Sequence, residues 1–277
     1  MAIYLSLSRV LWSSNPVVEV QGSKMYVNPE GLPKNYIKTF QAYIISGGPE
    51  KLTTEMFKNV VKEGDVVLDL GANIGYYSLL AARLVGEKGK VYAFEPEPVN
   101  YSLLLKNIEL NGYDNIVAVQ KAVSNVAGKV RLFLDKKDTG AHTIYQPDDE
   151  REFTEVESVI LDDFFKAKEH PINVIKMDVE GAEMAAFSGM DRIIRESENL
   201  KMFVEFYFPG MKRAGNAPRE FARRLLEDYH FSILAIGEYT KDRKYLKINK
   251  VDELMDLCKG ERAANLFLER GQSFEEK

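Results

Sequence analysis

A glycine-containing turn and a downstream glutamate form the part of the sequence best suited to binding a ligand. The segment 69–75 reads DLGANIG, and Glu95 follows Gly71 by 24 residues. Glycine lets the backbone approach a ligand closely, as a nucleotide requires at a turn between a strand and a helix. A carboxylate at the end of the next strand can accept both hydroxyls of a ribose. The pair therefore predicts a site for a ligand that contains a nucleoside.

The same turn discriminates between nucleoside cofactors. Dinucleotide enzymes use G-x-G-x-x-G to hold a pyrophosphate on helix-start amides, whereas Asn73 replaces the second glycine here. S-adenosylmethionine carries no phosphate and is the cofactor we expect, with Asp69 holding its ammonium group or ordering the turn. The backbone of Ala122 and Val123 is expected to border the adenine, although their side chains suit the core equally well. The predicted cofactor contacts are Asp69, Gly71, Ala72, Asn73, Gly75, Glu95, Pro96, Ala122 and Val123.

A sheet of parallel strands must position these residues. Apolar runs of strand length alternate with segments of helical spacing, which predicts right-handed crossovers and a parallel sheet with helices on both faces. The predicted strands are 66–70, 90–94, 115–120, 173–177, 202–206, 231–236 and 244–248. The predicted helices are one that starts after Thr54, then 76–85, 98–111, 182–196, 217–229 and 252–270.

Two further β patterns lie outside this alternation. The segments 129–134 and 154–160 flank a polar loop and predict an inserted hairpin. The segment 17–27 predicts another hairpin, in an N-terminal extension or lid. We expect the extension over 1–50 and the α/β domain over 51–277.

Composition restricts the classes of function. A chain of 277 residues can bury one substantial core, and its net charge of -5 gives no overall attraction to nucleic-acid backbones. The single cysteine, Cys258, excludes an internal disulfide framework and fits a reducing compartment. No apolar run is long enough to cross a bilayer, and the first residues lack the charged start of a signal peptide. We therefore expect a cytoplasmic protein with no membrane or nucleic-acid partner.

Six motifs in order resemble those of the FkbM-type methyltransferases, a branch of the S-adenosylmethionine-dependent class I group. They are GDVVLDLGANIGYYS at 64–78, VYAFEPEPVNYSLLLKNIELNG at 91–112, AVSNVAGKVRLFL at 122–134, VESVILDDFF at 156–165, IKMDVEGAEMAAFSGM at 175–190 and FVEFY at 203–207. The resemblance implies a Rossmann-like fold with a seven-stranded, mostly parallel sheet. It also implies methylation of a hydroxyl on a sugar or another small molecule. The less distinctive segments 1–50 and 208–277 would shape the acceptor pocket.

Methyl transfer to an alcohol needs alignment of the reacting atoms and a base for the hydroxyl proton. In the resembling family the segment KMDVEGAE at 176–183 ends the fourth strand, where such sheets border their ligands. Asp178 is therefore expected to orient or deprotonate the acceptor, and a helix cap is its alternative role. Glu180 is expected to order the loop, and Glu183 to be an exposed residue in a first helical turn.

A histidine is the second candidate base. His142 lies in the polar loop, and imidazole suits proton transfer near neutral pH, although an exposed loop histidine without function is equally compatible. Glu205 is a charge inside an apolar strand, so a partner such as Lys176 is expected nearby. Asp178, Glu205 and His142 could hold magnesium, but no tight ligand spacing is present. We predict no metal.

Two other functions stay open. The segments 69–78 and 94–112 are also similar to those of tRNA guanine-methylating enzymes, so an RNA methyltransferase is one alternative. Such enzymes usually carry a proline-rich motif after the fourth strand, where this chain has MDVE at 177–180. A non-catalytic scaffold with a methyltransferase-like fold is the other. The carboxylate of Glu95 argues against it, since a scaffold needs no ribose acceptor. The oligomeric state is not predicted.

Overall fold

The computed structural model describes residues 17–26, 50–136, 138, 140–166, 171–215, 217–237, 245–258 and 263–270. Its strands are β1 (Val17–Val20), β2 (Ser23–Tyr26), β3 (Val66–Leu70), β4 (Lys90–Phe94), β5 (Ile116–Val119), β6 (Ala122–Val123), β7 (Gly128–Phe133), β8 (Phe153–Val159), β9 (Val174–Met177), β10 (Lys201–Tyr207), β11 (Phe231–Ile236), β12 (Tyr245–Ile248) and β13 (Ala263–Arg270). Its helices are α1 (Lys51–Val60), α2 (Tyr76–Val85), α3 (Pro98–Asn111), α4 (Leu161–Phe164), α5 (Glu183–Ser188), α6 (Asp191–Glu196), α7 (Phe208–Arg213), α8 (Pro218–Arg223) and α9 (Val251–Leu257).

The central sheet contains eight strands in the order β12-β11-β13-β10-β9-β3-β4-β5. Strands β5, β4, β3, β9 and β10 are parallel to one another, β13 is antiparallel to β10 and β11, and β12 is antiparallel to β11. The expected mostly parallel sheet with helices on both faces is confirmed. It has one strand more than the expected seven, because β13 occupies a segment that was expected to be helical.

The two faces of the sheet follow from the alternation of side chains along each strand. On one face Val67, Val174 and Phe203 pack against Phe57 of α1 and Tyr77 of α2. We call this face the α1/α2 face. The residues that point the other way form the largest core with the helices of the opposite layer. The strand residues of this core include Leu68, Ile175 and Val204, and its helix residues include Phe187, Ile194 and Phe221.

The helix expected over 252–270 is wrong in its second half. Helix α9 ends at Leu257, and 263–270 is strand β13, inserted between β10 and β11. Leu266 and Leu268 pack in the largest core, whereas Phe267 packs on the α1/α2 face. A strand buried on both faces has a continuous apolar run, which periodicity alone cannot distinguish from a buried helix.

Two other expected helices are interrupted. The helix over 182–196 is divided into α5 and α6 by Gly189 and Met190. A Cβ on Gly189 would lie 2.2 Å from the Ser124 carbonyl oxygen, so this close approach requires glycine. The helix over 217–229 is present as α8, which continues as a π-helical turn over Arg224–Asp228.

Both expected hairpins are present. The β1/β2 hairpin packs beside α3, where the Tyr26 amide donates to Asn107 Oδ1 (2.8 Å) and the Lys24 amide donates to Asn111 Oδ1 (2.7 Å). Strands β7 and β8 form the inserted hairpin, to which β6 adds a third strand. The division at residue 50 stays a prediction, since 1–16 and 27–49 lie outside the described residues. No described helix is both long and apolar enough to span a membrane.

Candidate active site

The sheet register places an acidic and a basic residue side by side near the ends of β3 and β9. Asp69 pairs with Lys176 across these strands, and Lys176 pairs with Phe203 of β10. Their neighbours two residues earlier, Val67 and Val174, belong to the α1/α2 face. Because side chains at i and i+2 share a face, Asp69 and Lys176 lie on the same face, nearer its carboxyl edge.

One pleat further along, the same edge carries three acidic residues. Glu95, Asp178 and Glu205 follow Ala93, Lys176 and Phe203 by two positions each, in strands β4, β9 and β10 or directly after them. Ligands of open parallel sheets bind at the carboxyl ends of the strands. The sequence therefore folds so that its separate acidic motifs meet at the edge where a ligand is expected.

The turn after β3 needs glycine at its first position. Gly71 has φ +83°, and a Cβ there would lie 1.8 Å from the carbonyl oxygen of Asp178. The amides of Gly71 and Ala72 both donate to the Phe94 carbonyl, at 3.0 and 2.9 Å. The turn is thus fixed to β4 on one side and in contact with the Asp178 backbone on the other.

Two backbone amides hold the carboxylate of Glu95, and each of its oxygens can still accept another hydrogen bond. Its Oε2 accepts from the Asn73 amide (2.8 Å) and its Oε1 from the Glu97 amide (2.9 Å). A carboxylate has about four lone-pair sites, so each oxygen can accept one more hydrogen bond. Burial raises the pKa of Glu95 to about 7, and the two amide bonds oppose the shift. This buried acceptor pair fits the two hydroxyls of a ribose.

Asp69 and Gly75 hold the turn to the following helix. Asp69 is buried, and its Oδ2 accepts from the Ser78 hydroxyl at 2.5 Å. Burial raises the pKa of Asp69 to about 6, and the Ser78 bond opposes the shift. Gly75 has φ +99°, and a Cβ there would lie 2.7 Å from Leu104 Cδ1. Of the two roles expected for Asp69, ordering the turn is the one that this contact fits.

Asp178, Glu180 and Glu205 form a cluster. Each offers a carboxylate oxygen, and these oxygens all lie within 4.8 Å of one another. Burial raises the pKa of both Glu180 and Glu205 well above the ordinary value, and the charge of Asp178 adds to the shift in each. Glu180 has φ +52°, a conformation that costs energy in any residue but glycine and often marks a functional site. Sequence reasoning gave Glu180 only a loop-ordering role.

Lys176 lies beneath this cluster, where a partner for Glu205 was expected. Its side chain is 2% exposed, and its Nζ lies 3.3 Å from Asp178 Oδ2 and 5.0 Å from the centre of the Tyr77 ring. Burial lowers the pKa of Lys176, but the negative charges of Asp178, Glu50 and Glu205 outweigh it and raise the pKa overall. Lys176 is therefore a buried, charged ammonium.

Glu50 joins the site from outside every recognised motif. Its carboxylate accepts from Asn265 Nδ2 at 2.7 Å and from the Tyr77 hydroxyl at 3.0 Å. Asn265 pairs with Glu205 across β13 and β10. Sequence reasoning missed Glu50 and Asn265, since no local pattern relates two residues separated by 215 positions.

The expected exposure of Glu183 is wrong. Its side chain is fully buried and folds back, so that Oε1 accepts from the Gly181 amide at 3.0 Å, while Oε2 has no hydrogen-bond partner among the described residues. Burial raises the pKa of Glu183 to about 8. The first turn of α5 is enclosed by the core, as the burial of Ala182 and Ala186 shows.

Replacing Glu183 by glutamine should reduce the pH dependence of stability. Its folded pKa of about 8 lies above 4.5, so its contribution to stability is complete below pH 4.5 and is lost as pH rises through about 8. Glutamine mimics the protonated form. The free energy of unfolding of E183Q relative to wild type should therefore increase from about pH 5 to 8, by up to roughly 1.4 kcal/mol per pH unit. Urea unfolding followed by circular dichroism measures it.

Glu109, which is exposed on α3, offers a matched control. The variant E109Q removes the same charge without uncovering a buried group, so its stability difference from wild type should stay nearly constant over this pH range. A constant difference for E183Q as well would contradict a protonated Glu183.

His142 belongs to a loop beside the turn 71–75 and is not one of the three residues of the acidic cluster. Its Nδ1 accepts from the Asp135 amide at 2.9 Å, which leaves the proton of a neutral ring on Nε2. Burial lowers the pKa of His142, and the charge of Glu97 opposes the shift. In the same loop, a Cβ on Gly140 would lie 3.5 Å from Asn73 Nδ2. The loop therefore reaches the turn.

The remaining expected cofactor contacts lie along β6 and after β4. Ala122 and Val123 pair with Ser158 and Val159 of β8, and both side chains are buried in apolar clusters. Pro96 is half-buried beside Glu95. Backbone contacts of Ala122 and Val123 with an adenine stay a prediction.

The chain is similar to known methyltransferases. The family model described as Methyltransferase FkbM domain matches residues 69–235, more than half of the chain. The hexuronic acid methyltransferase AglP of Haloferax volcanii is 26% identical over 167 residues, which cover 60% of this chain and 63% of that protein. The methyltransferase sdnD of Sordaria araneosa is 28% identical over 208 residues, which cover 64% of this chain and 75% of that protein.

A solved structure of similar topology is the methyltransferase FkbM of Methylobacillus flagellatus, with 17% identity and a TM-score of 0.45. The alignment covers 85% of this chain and 55% of that one. A putative methyltransferase of Streptococcus mutans, solved with SAH, has 11% identity and a TM-score of 0.47 over 80% of this chain and 98% of that one. From the match to the family model, the chain belongs to the FkbM methyltransferase family, whose cofactor is S-adenosylmethionine.

Proposed function

We propose that the protein transfers a methyl group from S-adenosylmethionine to a hydroxyl oxygen of a small acceptor, and that the acceptor is a sugar. The carboxylate of Asp178 is the observation that carries the proposal. It is 35% exposed beside the buried Lys176, and its backbone touches the cofactor turn at Gly71. An accessible carboxylate at this position can contact an acceptor next to the cofactor.

The roles of the residues follow from their positions. Glu95 would accept the ribose hydroxyls, and the turn from Gly71 to Gly75 would contact the adenosyl portion. When bound, the cofactor supplies an electrophilic methyl group. Asp178 would accept the hydroxyl proton while the acceptor oxygen attacks, since one of its oxygens faces Lys176 and the other stays available.

His142 fits an orienting role better than that of a base. Its Nδ1 lone pair is used by the Asp135 amide, so the neutral ring presents an N–H at Nε2. Such a group can donate a hydrogen bond to a sugar hydroxyl but cannot take a proton there. We therefore assign proton removal to Asp178 and the orientation of the acceptor to His142.

The acidic surroundings favour a neutral acceptor. Carboxylate oxygens of Asp178, Glu180 and Glu205 all lie within 4.8 Å of one another. A carboxylate on the acceptor would add a further negative charge and would be repelled. The hexuronic acid in the name of the Haloferax relative supports the sugar class, and the charge of this site favours a neutral hexose within that class. We propose no metal requirement, because Lys176 already supplies a positive charge beside Asp178.

A transfer assay with methyl-tritiated cofactor tests the proposal. The acceptors are methyl glycosides of neutral hexoses, the matching hexuronic acids and bulk tRNA, each with EDTA and with Mg²⁺. We expect an O-methyl ether on a neutral hexose, identified by NMR, at equal rates in both conditions. Transfer to tRNA would favour the RNA alternative, and absence of cofactor binding at millimolar concentration would favour the scaffold. A rate that depends on Mg²⁺ would contradict the metal-free assignment.

A further inference from the structure

Lys176 is a buried lysine beneath the acidic cluster. It lies between Asp69 and Phe203 in the sheet register, on the α1/α2 face and one pleat below Asp178. Only 2% of its side chain is exposed. An isolated buried ammonium is expensive, so a lysine here must have a counter-charge that compensates for lost hydration.

Acidic groups face Lys176 from several elements. They are Asp69 of β3, Asp178 after β9, Glu205 of β10 and Glu50 before α1, with the Tyr77 ring of α2 packed on the ammonium. Beyond these, Glu180, Glu183 and Arg213 surround the outer carboxylates.

Two of these acidic groups have other hydrogen-bond partners. Asp69 is bonded to the Ser78 hydroxyl, and Glu50 is bonded to Asn265 and Tyr77. Burial raises the pKa of Glu205 well above its ordinary value, and the charge of Asp178 adds to this shift. Among the described residues, Lys176 is the hydrogen-bond partner of the Asp178 carboxylate, at 3.3 Å.

We propose that Lys176 is a positioning residue, which holds Asp178 as a carboxylate with Oδ2 fixed and Oδ1 directed to the acceptor. The inference rests on the proposed role of Asp178 as the base. The geometry suits it, because residues two apart on a strand share a face, so the lysine can extend toward the aspartate that follows it. The Tyr77 ring, 5.0 Å from Nζ, limits where the ammonium can go.

The positive charge of Lys176 should affect the pH dependence of the reaction, whereas the shape of its side chain alone should not. An ammonium close to a carboxylate favours its ionised form, and removing such a charge typically moves the titration by about 1–3 pH units. The acid limb of the pH–rate profile should then move to higher pH.

The test compares Lys176→Met, which removes the charge at similar length, with Lys176→Arg, which keeps it. We expect the acid limb of the pH profile of kcat/KM for the hexose acceptor to move up by about 1–3 pH units in K176M and much less in K176R. Selective ¹³C labelling of aspartate carboxyls gives a second readout that needs no acceptor. The Asp178 signal, assigned by its loss in D178N, should be displaced in K176M at a fixed neutral pH and should stay near its wild-type position in K176R.

The matched control is Lys201→Met. Lys201 lies at the start of β10 and pairs with Glu269 at 3.8 Å, so its loss removes a lysine ion pair from the neighbouring strand. Both readouts should equal wild type in K201M. Should K176M misfold, a pH–rate profile of K176R that departs from wild type by as much as 1–3 pH units would contradict the charge role.

The variants of Lys176 and of Asp178 distinguish a failure of the positioning role of Lys176 from a failure of Asp178 as the base. An unchanged Asp178 signal and an unchanged pH–rate profile in folded K176M would overturn the role of Lys176 and leave Asp178 as the base. Full turnover in D178N would instead overturn the proposed base, whatever K176M shows.

Discussion

Asp178→Asn should lower kcat by about 10²- to 10⁴-fold, the usual contribution of a general base. The amide keeps the shape of the side chain but cannot accept the hydroxyl proton. Its carbonyl oxygen can still face Lys176, and the backbone bond from the Asp178 amide to the Leu70 carbonyl (2.9 Å) does not involve the side chain. The turn at Gly71 should therefore stay intact, and cofactor affinity should stay close to that of wild type.

Single-turnover rates at saturating cofactor measure this loss, and calorimetry with S-adenosylhomocysteine measures affinity. Asp162→Asn provides the matched control. The Asp162 carboxylate accepts from the amides of Arg192 and Ile193 in the opposite helical layer, so its loss should reduce stability and leave kcat near wild type. A D178N variant with wild-type kcat would assign proton removal elsewhere, and His142 would be the next residue to test.

The backbone geometry of the turn after β3 could be predicted because it is local. Gly71 needs a positive φ, and its relation to Glu95 follows from one strand–helix–strand unit. The registers that bring Asp69 beside Lys176 depend on strands almost 110 residues apart, yet each strand could be recognised by itself. Parallel-sheet topology supplies the remaining information, because it gathers all the carboxyl ends at one edge.

The features that sequence reasoning missed depend on packing between distant segments. Strand β13 is apolar on both sides because it enters between two other strands, which no local periodicity reveals. Glu183 is buried because its carboxylate folds back to the Gly181 amide. Glu180 enters the acidic cluster through a positive φ that its residue type does not indicate. In each case the tertiary environment determines the state of an ordinary-looking residue.

Glu95→Ala should weaken cofactor binding by roughly 30- to 700-fold, or about 2–4 kcal/mol. The range takes about 1–2 kcal/mol for each of two hydrogen bonds from ribose hydroxyls, between the values for neutral and for charged acceptors, because Glu95 is only part ionised near pH 7. The change also removes the acceptor of the Asn73 and Glu97 amides, so part of the loss arises from loosening of the turn. Because burial raises the pKa of Glu95 to about 7, wild-type affinity should fall as pH decreases through 7, and E95A should lack this dependence.

Glu97→Ala separates recognition of the ribose from stability of the fold. Glu97 is also buried, and its Oε2 caps α3 by accepting from the Asn100 amide at 2.6 Å. Its loss should cost about 1 kcal/mol of stability, as for other helix caps, while most of the affinity for S-adenosylhomocysteine is kept. If E95A lost no more affinity than E97A, the raised pKa of Glu95 would reflect burial alone, and the ribose would have to be bound by other groups. A loss confined to E95A, with its pH dependence removed, ties cofactor recognition to this one carboxylate.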